Sequence, residues 1–120
     1  MTPEVGLDVV GLPRFAALLA RNPEFATHYF TAAEQSRCHA QPRPTDAFAT
    51  VFAVKEALLK ALGLGVLDGV ALADIDVELG RGDARIQLHG GAAARLGPRT
   101  ALASWCRDGL RAWAVVVVAV

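Results

Sequence analysis

The sequence predicts an α+β fold, in which an antiparallel sheet packs against one long helix and several short ones. Three observations predict it: an early β-branched segment, a long apolar segment with helical periodicity at residues 46–62, and strand-like segments separated by turn residues in the second half. With 120 residues, 53% of them hydrophobic, the chain is predicted to form a single domain, residues 1–120, around one core.

The first predicted element is a strand at residues 5–10. Its residues are apolar and mostly β-branched apart from Gly6 and Asp8, which is typical of a strand buried on both faces. An unpaired carboxylate is costly in such a strand. We therefore expect Asp8 to contact a cation, a metal ion or converging N–H donors, either as a structural ion pair or within a functional site.

The next predicted element is a helix that has Pro13 in its first turn and runs to about Arg21. Arg14 and Arg21 are seven residues apart and therefore lie on one side of this helix. They form either an ordinary solvated face or a docking surface for an acidic partner.

Two further short helices and a loop are predicted before the long helix. Residues 22–30 begin with an Asn-Pro pair that suits a helix start. Thr31 and Glu34 have the spacing of a capping box, so a third helix begins there and ends near His39. Two prolines within residues 41–46 oppose helix formation and leave a loop.

The long helix has Thr45 or Asp46 as its expected N-cap and Leu62 near its end. Its apolar residues spread over more than one stripe, so most of its circumference should be buried. Burial makes the Glu56 carboxylate costly, as it does for Asp8. One hard divalent cation would satisfy both carboxylates, which come from separate elements.

Residues 55–65 place chemically distinctive side chains at helical spacing. Glu56 and Lys60 are four residues apart and share a face, and Gly63 lies at the helix end on nearly the same side. Such a Glu–Lys pair is by itself typical of a solvated surface ion pair. Gly63 and Gly65 allow a sharp exit from the helix.

The second half of the chain predicts four strands and one small helix. A glycine-rich turn at residues 80–83 and an Asp-Gly turn at residues 108–109 predict two hairpins. The final apolar run is far shorter than the roughly 20 residues that span a bilayer, so we interpret it as a buried strand. The predicted strands are residues 75–79, 85–88, 102–107 and 111–120, and the helix is residues 90–96.

The charge balance and the cysteines argue against several classes of function. Twelve basic and twelve acidic residues give no net charge, which argues against a general nucleic-acid or anionic-membrane binder. No basic residue precedes the first apolar run, so we predict a cytoplasmic protein without a secretory signal. Cys38 and Cys106 lack C-x-x-C spacing and fit buried or free thiols better than a disulfide framework or a zinc site.

Several motifs occur in the order and spacing of one enzyme family. They are the Gly-Leu-Asp-Val-Val strand at residues 6–10, the Phe-Thr-Ala-Ala-Glu cap at 30–34, and the segment at 52–63 that contains Lys-Glu-Ala-Leu-Leu-Lys-Ala. In these motifs the chain resembles the holo-(acyl carrier protein) synthases, the small, single-domain members of the 4′-phosphopantetheinyl transferase superfamily. Residues 74–77 and 88–93 resemble two further landmarks, so the resemblance covers almost the whole chain and implies the α+β fold predicted above.

Such enzymes move the phosphopantetheine arm of coenzyme A onto a serine of an acyl carrier protein and release adenosine 3′,5′-bisphosphate. The resemblance implies that Asp8 and Glu56 hold a magnesium ion (Mg2+), which neutralises the pyrophosphate. It implies that Glu56, directly or through a metal-bound water, accepts the serine proton, and that Lys60 offsets charge on the transferring phosphoryl group. Asp8, Glu56 and Lys60 are thus the expected catalytic residues.

The same resemblance assigns contacts with both substrates. By it, Arg14 and Arg21 dock an acidic helix of the carrier protein, and three subunits assemble with active sites in the clefts between them. Glycines would let the nucleotide approach the backbone, and polar or basic side chains would hold the phosphates. The residues expected at coenzyme A are Arg43, Lys55, Lys60, Gly63, Gly65, Ser104 and Arg107.

Three positions depart from the family pattern. Val51 stands where the family usually has an arginine, and Ala84 stands where it commonly has a proline. The family's Ser-x-Ser-His-Asp stretch is Ser-Trp-Cys-Arg-Asp at residues 104–108, so Arg107 replaces the histidine. Either Arg107 restores a contact with coenzyme A phosphate, or it points to solvent in a surface ion pair with Asp108.

These departures leave three hypotheses for function. The first is a magnesium-dependent phosphopantetheinyl transferase that serves the carrier protein of fatty-acid biosynthesis or a specialised polyketide or peptidyl carrier protein. The second is a homologue that has lost transfer activity and binds carrier proteins or acyl chains as an assembly module. The third is a different reaction in the same cleft, which Trp105 and Cys106 would line.

Overall fold

The computed structural model describes residues 4–64 and 72–120 of the chain. Within these residues, five strands form one antiparallel sheet. They are β1 (Glu4–Gly11), β2 (Ile75–Leu79), β3 (Asp83–Leu88), β4 (Thr100–Arg107) and β5 (Arg111–Ala119). Their order across the sheet is β1-β5-β4-β3-β2. Every predicted strand is present, with ends within about two residues of the prediction.

The described helices are α1 (Leu12–Arg21), α2 (Glu24–Tyr29), α3 (Ala32–His39), α4 (Pro44–Ala61) and α5 (Gly90–Leu96), with a 3₁₀ turn at Leu72–Asp74. The predicted capping box at the start of α3 is confirmed. The Thr31 hydroxyl accepts a hydrogen bond from the Glu34 amide at 3.0 Å, and the Glu34 carboxylate accepts one from the Thr31 amide at 2.8 Å. The antiparallel sheet and these helices confirm the predicted α+β fold.

The N-cap of the long helix α4 lies two or three residues earlier than predicted. The assignment of Thr45 or Asp46 as N-cap is wrong, because the helix starts at Pro44 with Arg43 as N-cap. A proline suits the first helical position, where its missing N–H costs nothing and its fixed φ is already helical. Twelve of the 18 residues of α4 are buried, which confirms that most of its circumference lies in the core.

The sheet buries one of its two faces. On β1, Val5 and Leu7 are 60% and 57% exposed, so the prediction of a strand buried on both faces is wrong. The sequence did not show which face is buried, because Val5, Leu7 and Val9 form the more apolar face, whereas α4 packs against the opposite face with Gly6 and Asp8. Strand β5 also has one buried face, formed by Ala112, Ala114, Val116 and Val118.

The space between α4 and the sheet holds the hydrophobic core, to which β1, β2, β4 and β5 contribute. In the two described ranges, no helix is long and apolar enough to cross a membrane. The organisation as a single domain, residues 1–120, stays a prediction.

Candidate active site

An open groove of about 550 Å³ runs between β1, α1 and α4. Asp8 reaches it from the face of β1 that packs on α4, and Glu56 reaches it from α4 itself. Both carboxylates are partly buried. The structure therefore brings together the two acids that the sequence placed on separate elements.

Lys60, on α4, contacts the Asp8 carboxylate and the β1 backbone. Its Nζ donates hydrogen bonds to Asp8 Oδ1 at 2.9 Å and to the Leu7 carbonyl oxygen at 3.0 Å. The expected cation for Asp8 is therefore the Lys60 ammonium. Among the described residues, Lys60 forms its ion pair across elements with Asp8 rather than along the helix with Glu56.

The position of Glu56 disfavours its charged form. Burial raises the pKa of Glu56, the nearby negative charge of Asp8 raises it further, and the Lys60 charge offsets part of this effect. A hard cation between the carboxylates would relieve the repulsion, and Mg2+ commonly takes one or two carboxylates together with phosphate and water oxygens. The donor set thus fits Mg2+, although residues 4–64 and 72–120 contain no cluster of three or more His, Cys, Asp or Glu side chains.

The same groove carries two exposed basic side chains. Arg14 and Arg21, both on α1, line it together with the apolar side chains of Phe15, Leu18 and Phe52. The groove therefore has an acidic end, an apolar floor and a basic wall. A negatively charged helix with apolar contacts would match that wall.

A second cavity, of about 260 Å³, contains two of the four basic residues predicted at coenzyme A. Arg43 and Arg107 line it together with Asp46. Both arginines are exposed, and Arg43 lies 3.8 Å from Asp46. The Arg107 Nη1 donates to the Thr50 hydroxyl at 3.0 Å.

Arg107 also borders an adjoining cavity of about 350 Å³, where Val51 forms part of the wall. Its guanidinium carbon lies 4.9 Å from the centre of the Trp105 ring, a cation–π distance. The alternative ion pair between Arg107 and Asp108 is not formed. Asp108 instead pairs with Arg111 at 3.6 Å, and hydrogen bonds from the amides of residues 110 and 111 are the largest influence lowering the pKa of its carboxyl.

The assignment of Lys55 to coenzyme A is wrong. Its side chain is 1% exposed, and its Nζ lies 2.6 Å from Glu34 Oε1 and 2.8 Å from the carbonyl oxygens of Tyr29 and Leu72. Three acceptors satisfy the three N–H donors of the ammonium. Lys55 is therefore a buried structural cation that ties α4 to α3 and to two backbone segments.

Ser104 and Arg107 were both predicted to contact coenzyme A, but they lie on opposite faces of β4. Residues alternate along a strand, so Ser104 faces away from the helices while Trp105 and Arg107 face towards them. Cys106 shares the outer face with Ser104 and is a free, exposed thiol, so within one chain it does not line the cleft beside Trp105. Cys38 is a free, buried thiol, which agrees with the prediction of buried or free thiols.

The glycines at the end of α4 have separate outcomes. Gly63 is exposed and has a φ of 69°, the left-handed region that suits a glycine just past a helix. Its role near a nucleotide stays a prediction. Gly65 lies outside the described residues.

Thr50 is a contact residue that sequence reasoning missed. Its hydroxyl donates to the Asp46 carbonyl oxygen at 2.8 Å and accepts from Arg107. A threonine inside a helix commonly bonds its own backbone, so the sequence offered no sign of a second partner. The only available signal was a polar residue at a buried position of α4.

Comparisons with known proteins identify the same family as the sequence motifs. The family model of the 4′-phosphopantetheinyl transferase superfamily matches residues 4–116. The chain is 40% identical over 117 residues to a holo-(acyl-carrier-protein) synthase of Frankia casuarinae, with 94% of this chain and 93% of the relative covered. It is 35% identical over 120 residues to the enzyme of that name from Geobacter sulfurreducens, with 94% of both chains covered.

Solved structures show the same similarity. A complex of holo-(acyl carrier protein) synthase with coenzyme A from Chronobacterium ammoniagenes has a TM-score of 0.86 and 29% identity over 98% of this chain and 97% of that one. The Helicobacter pylori enzyme in complex with coenzyme A has a TM-score of 0.82 and 26% identity over 96% and 99%. The chain therefore belongs to the 4′-phosphopantetheinyl transferase superfamily.

Proposed function

We propose that this protein transfers the 4′-phosphopantetheine arm of coenzyme A to a serine of an acyl carrier protein. The observation that carries the proposal is the ion pair between Asp8 and Lys60 beside Glu56, in a groove walled by two arginines. Relatives at 35% and 40% identity are named holo-(acyl-carrier-protein) synthases, and the similar solved structures include complexes with coenzyme A.

Asp8 and Glu56 are the residues that would hold Mg2+. Their carboxylates are hard oxygen donors from two elements that meet in one groove. When bound, the metal would supply positive charge to the pyrophosphate of coenzyme A.

The transfer needs a base, a charge stabiliser and a positioned leaving group. In the proposed reaction the serine hydroxyl oxygen attacks the phosphorus of the pantetheine phosphate, and the bond from that phosphorus to the bridging oxygen breaks. The leaving group is adenosine 3′,5′-bisphosphate. Glu56 accepts the serine proton, for which its raised pKa suits it, and Lys60 stabilises charge on the phosphoryl oxygens.

Arg43 and Arg107 are the proposed phosphate contacts at the nucleotide end. Two guanidinium groups line one cavity there, and a guanidinium can hold two phosphate oxygens at once. Gly63 and Gly65 are proposed to leave the backbone accessible to the nucleotide. Arg14 and Arg21 are proposed to dock an acidic helix of the carrier protein.

We propose that the active protein is a homotrimer with active sites between subunits. In the described residues, the carboxylate groove and the Arg43–Arg107 cavity share no lining residue, so one chain presents two separate halves of a coenzyme A site. The outer sheet face is apolar and exposed, which favours burial against another copy. Its exposed side chains include Val5, Leu7, Val9 and Leu102. A cytoplasmic location stays a prediction.

Intact-mass analysis of candidate apo carrier proteins, incubated with coenzyme A and Mg2+, tests transfer directly. The proposal predicts a mass increase of one phosphopantetheine group, which Glu56→Gln and removal of Mg2+ should prevent. Calorimetry should also show that Asp8→Ala and Glu56→Ala each abolish metal-dependent binding of coenzyme A in a folded protein. Unchanged binding in both variants would refute the metal site.

The second candidate function is a homologue that binds carrier proteins but does not transfer. It is favoured by Val51, a buried apolar residue in a cavity wall where the family usually has an arginine. Binding of a carrier protein without any mass increase, across all carriers tested, would support this alternative. Light scattering at micromolar concentration separately tests assembly, since the proposal predicts about three subunits.

A further inference from the structure

The Lys60 ammonium lies on the carboxylate that the proposed function assigns to Mg2+. It contacts Asp8 Oδ1 at 2.9 Å and the Leu7 carbonyl oxygen at 3.0 Å. The Lys60 side chain is 54% exposed, whereas the Asp8 side chain is 16% exposed. The lysine therefore has open space in which to move, while the aspartate is confined between β1 and α4.

We infer that Lys60 and a divalent cation compete for the Asp8 carboxylate, an inference that rests on the proposed function. An ammonium at Oδ1 occupies one of the two Asp8 oxygens that a metal ion could bind and partly neutralises the carboxylate. A metal ion arriving without a nucleotide must either displace that ammonium or bind beside it and meet its repulsion. A pyrophosphate offers Lys60 another anionic partner, so with coenzyme A present the ammonium can leave Asp8 at little cost.

The competition makes Lys60 a link between the two ligands. Coenzyme A draws the ammonium away from Asp8 and so strengthens metal binding. By thermodynamic reciprocity, the metal strengthens coenzyme A binding by the same factor. Before either ligand binds, the ammonium neutralises Asp8, which lets the protein hold Asp8 and Glu56 close together.

Calorimetric titration of Mg2+ into the protein without coenzyme A tests the inference. Lys60→Met keeps a long side chain but removes the ammonium. We expect this variant to bind Mg2+ about two- to fivefold more tightly than the wild type, the factor that corresponds to a partly exposed ion pair. Arg14→Met is the matched control, because Arg14 lines the same groove and its loss also removes one positive charge. The control should bind Mg2+ much as the wild type does.

The titration is repeated with coenzyme A present. The gain in Mg2+ affinity caused by coenzyme A should be smaller in Lys60→Met, which has no ammonium to relocate. Equal or weaker Mg2+ binding by Lys60→Met without coenzyme A would overturn the inference and leave the metal site standing. An equal increase in Mg2+ affinity in Lys60→Met and Arg14→Met, measured without coenzyme A, would also overturn the inference, because the loss of one positive charge would then explain the result. No Mg2+ binding by any of the three proteins, with or without coenzyme A, would overturn the metal site and this inference together.

Discussion

Gly6 on β1 packs directly against the carbonyl oxygen of Ala57 on α4. A Cβ added at Gly6 would overlap that oxygen and lie 2.7 Å from the Ala61 backbone nitrogen. The absence of a side chain on the strand, and the small side chains on the helix, let the two elements approach closely. This approach brings Asp8, two residues along the strand, within reach of Lys60 on the helix.

We predict that Gly6→Ala lowers the free energy of unfolding by at least about 1–3 kcal/mol, the cost of inserting a methyl group into a packed core. It should also weaken metal binding, since the strand must move away from α4. Gly11→Ala is the control, because a Cβ there would lie 3.7 Å from the nearest atom, the Arg14 Cβ. Urea unfolding of both variants checks the prediction, and equal stability would contradict it.

Asp8 and Glu56 could be predicted as candidates because charged side chains in apolar segments need partners, and Lys60 because it is four residues from Glu56 in a family motif. The sequence did not identify the contact of Gly6 with α4, because a close approach between distant elements leaves no local pattern. Lys55 was misassigned for a related reason. Adjacent residues on a helix point about 100° apart, so Glu56 faces the groove while Lys55 enters the core.

The separation of Ser104 from Arg107 within one chain has a different origin. The motif groups residues that are close in sequence, whereas a strand sends alternate side chains to opposite faces. Arg107 and Trp105 therefore reach the cavity beside α4, and Ser104 does not. Element order and strand pairing were predictable from turns and alternation, but which face of the sheet the helices cover depends on the packing of the whole chain.

Lys55 and Glu34 form a buried ion pair whose disruption should be costly. Lys55→Met leaves the Glu34 carboxylate buried without its cation, and we expect a loss of about 3–5 kcal/mol in the free energy of unfolding. The double variant Lys55→Met/Glu34→Gln removes the uncompensated charge and should recover part of that loss. Urea unfolding checks both. Wild-type stability for Lys55→Met, together with weakened coenzyme A binding, would restore Lys55 as a ligand contact.

Asp76 should make the protein sensitive to acid. Burial alone would raise the pKa of its carboxyl, but hydrogen bonds from Thr31 and Arg37 and the Arg37 charge lower it below its ordinary value. A depressed pKa means that the unfolded state binds protons first, so the contribution to stability is complete above about pH 4 and is lost as the pH falls below it. Asp76→Asn should be less stable at pH 7 and should lose less stability on acidification. Thermal unfolding between pH 7 and pH 3 measures this, and parallel curves for both proteins would refute it.

Arg107 is predicted to hold a coenzyme A phosphate in place of the family's histidine. Arg107→Ala should weaken coenzyme A binding by about 1.5–3 kcal/mol, and Arg107→His should recover part of the loss. Since a guanidinium does not titrate near neutrality, wild-type affinity should depend little on pH between about 6 and 8 at this position, whereas the His variant should bind more weakly as the pH rises. Equal affinity of wild type and Arg107→Ala would favour the non-catalytic homologue.

Thr50 is predicted to position Arg107 for that contact. Its buried hydroxyl gives its proton to the Asp46 carbonyl oxygen at 2.8 Å and offers a lone pair to Arg107 Nη1 at 3.0 Å. Thr50→Val keeps the shape but removes the acceptor, so coenzyme A should bind about 0.5–1.5 kcal/mol more weakly, while Thr50→Ser should bind nearly as the wild type does. In the Arg107→Ala background, Thr50→Val should have no further effect on coenzyme A binding, because the guanidinium that it orients is gone. Additive losses in the double variant would show that Thr50 acts on the site by another route.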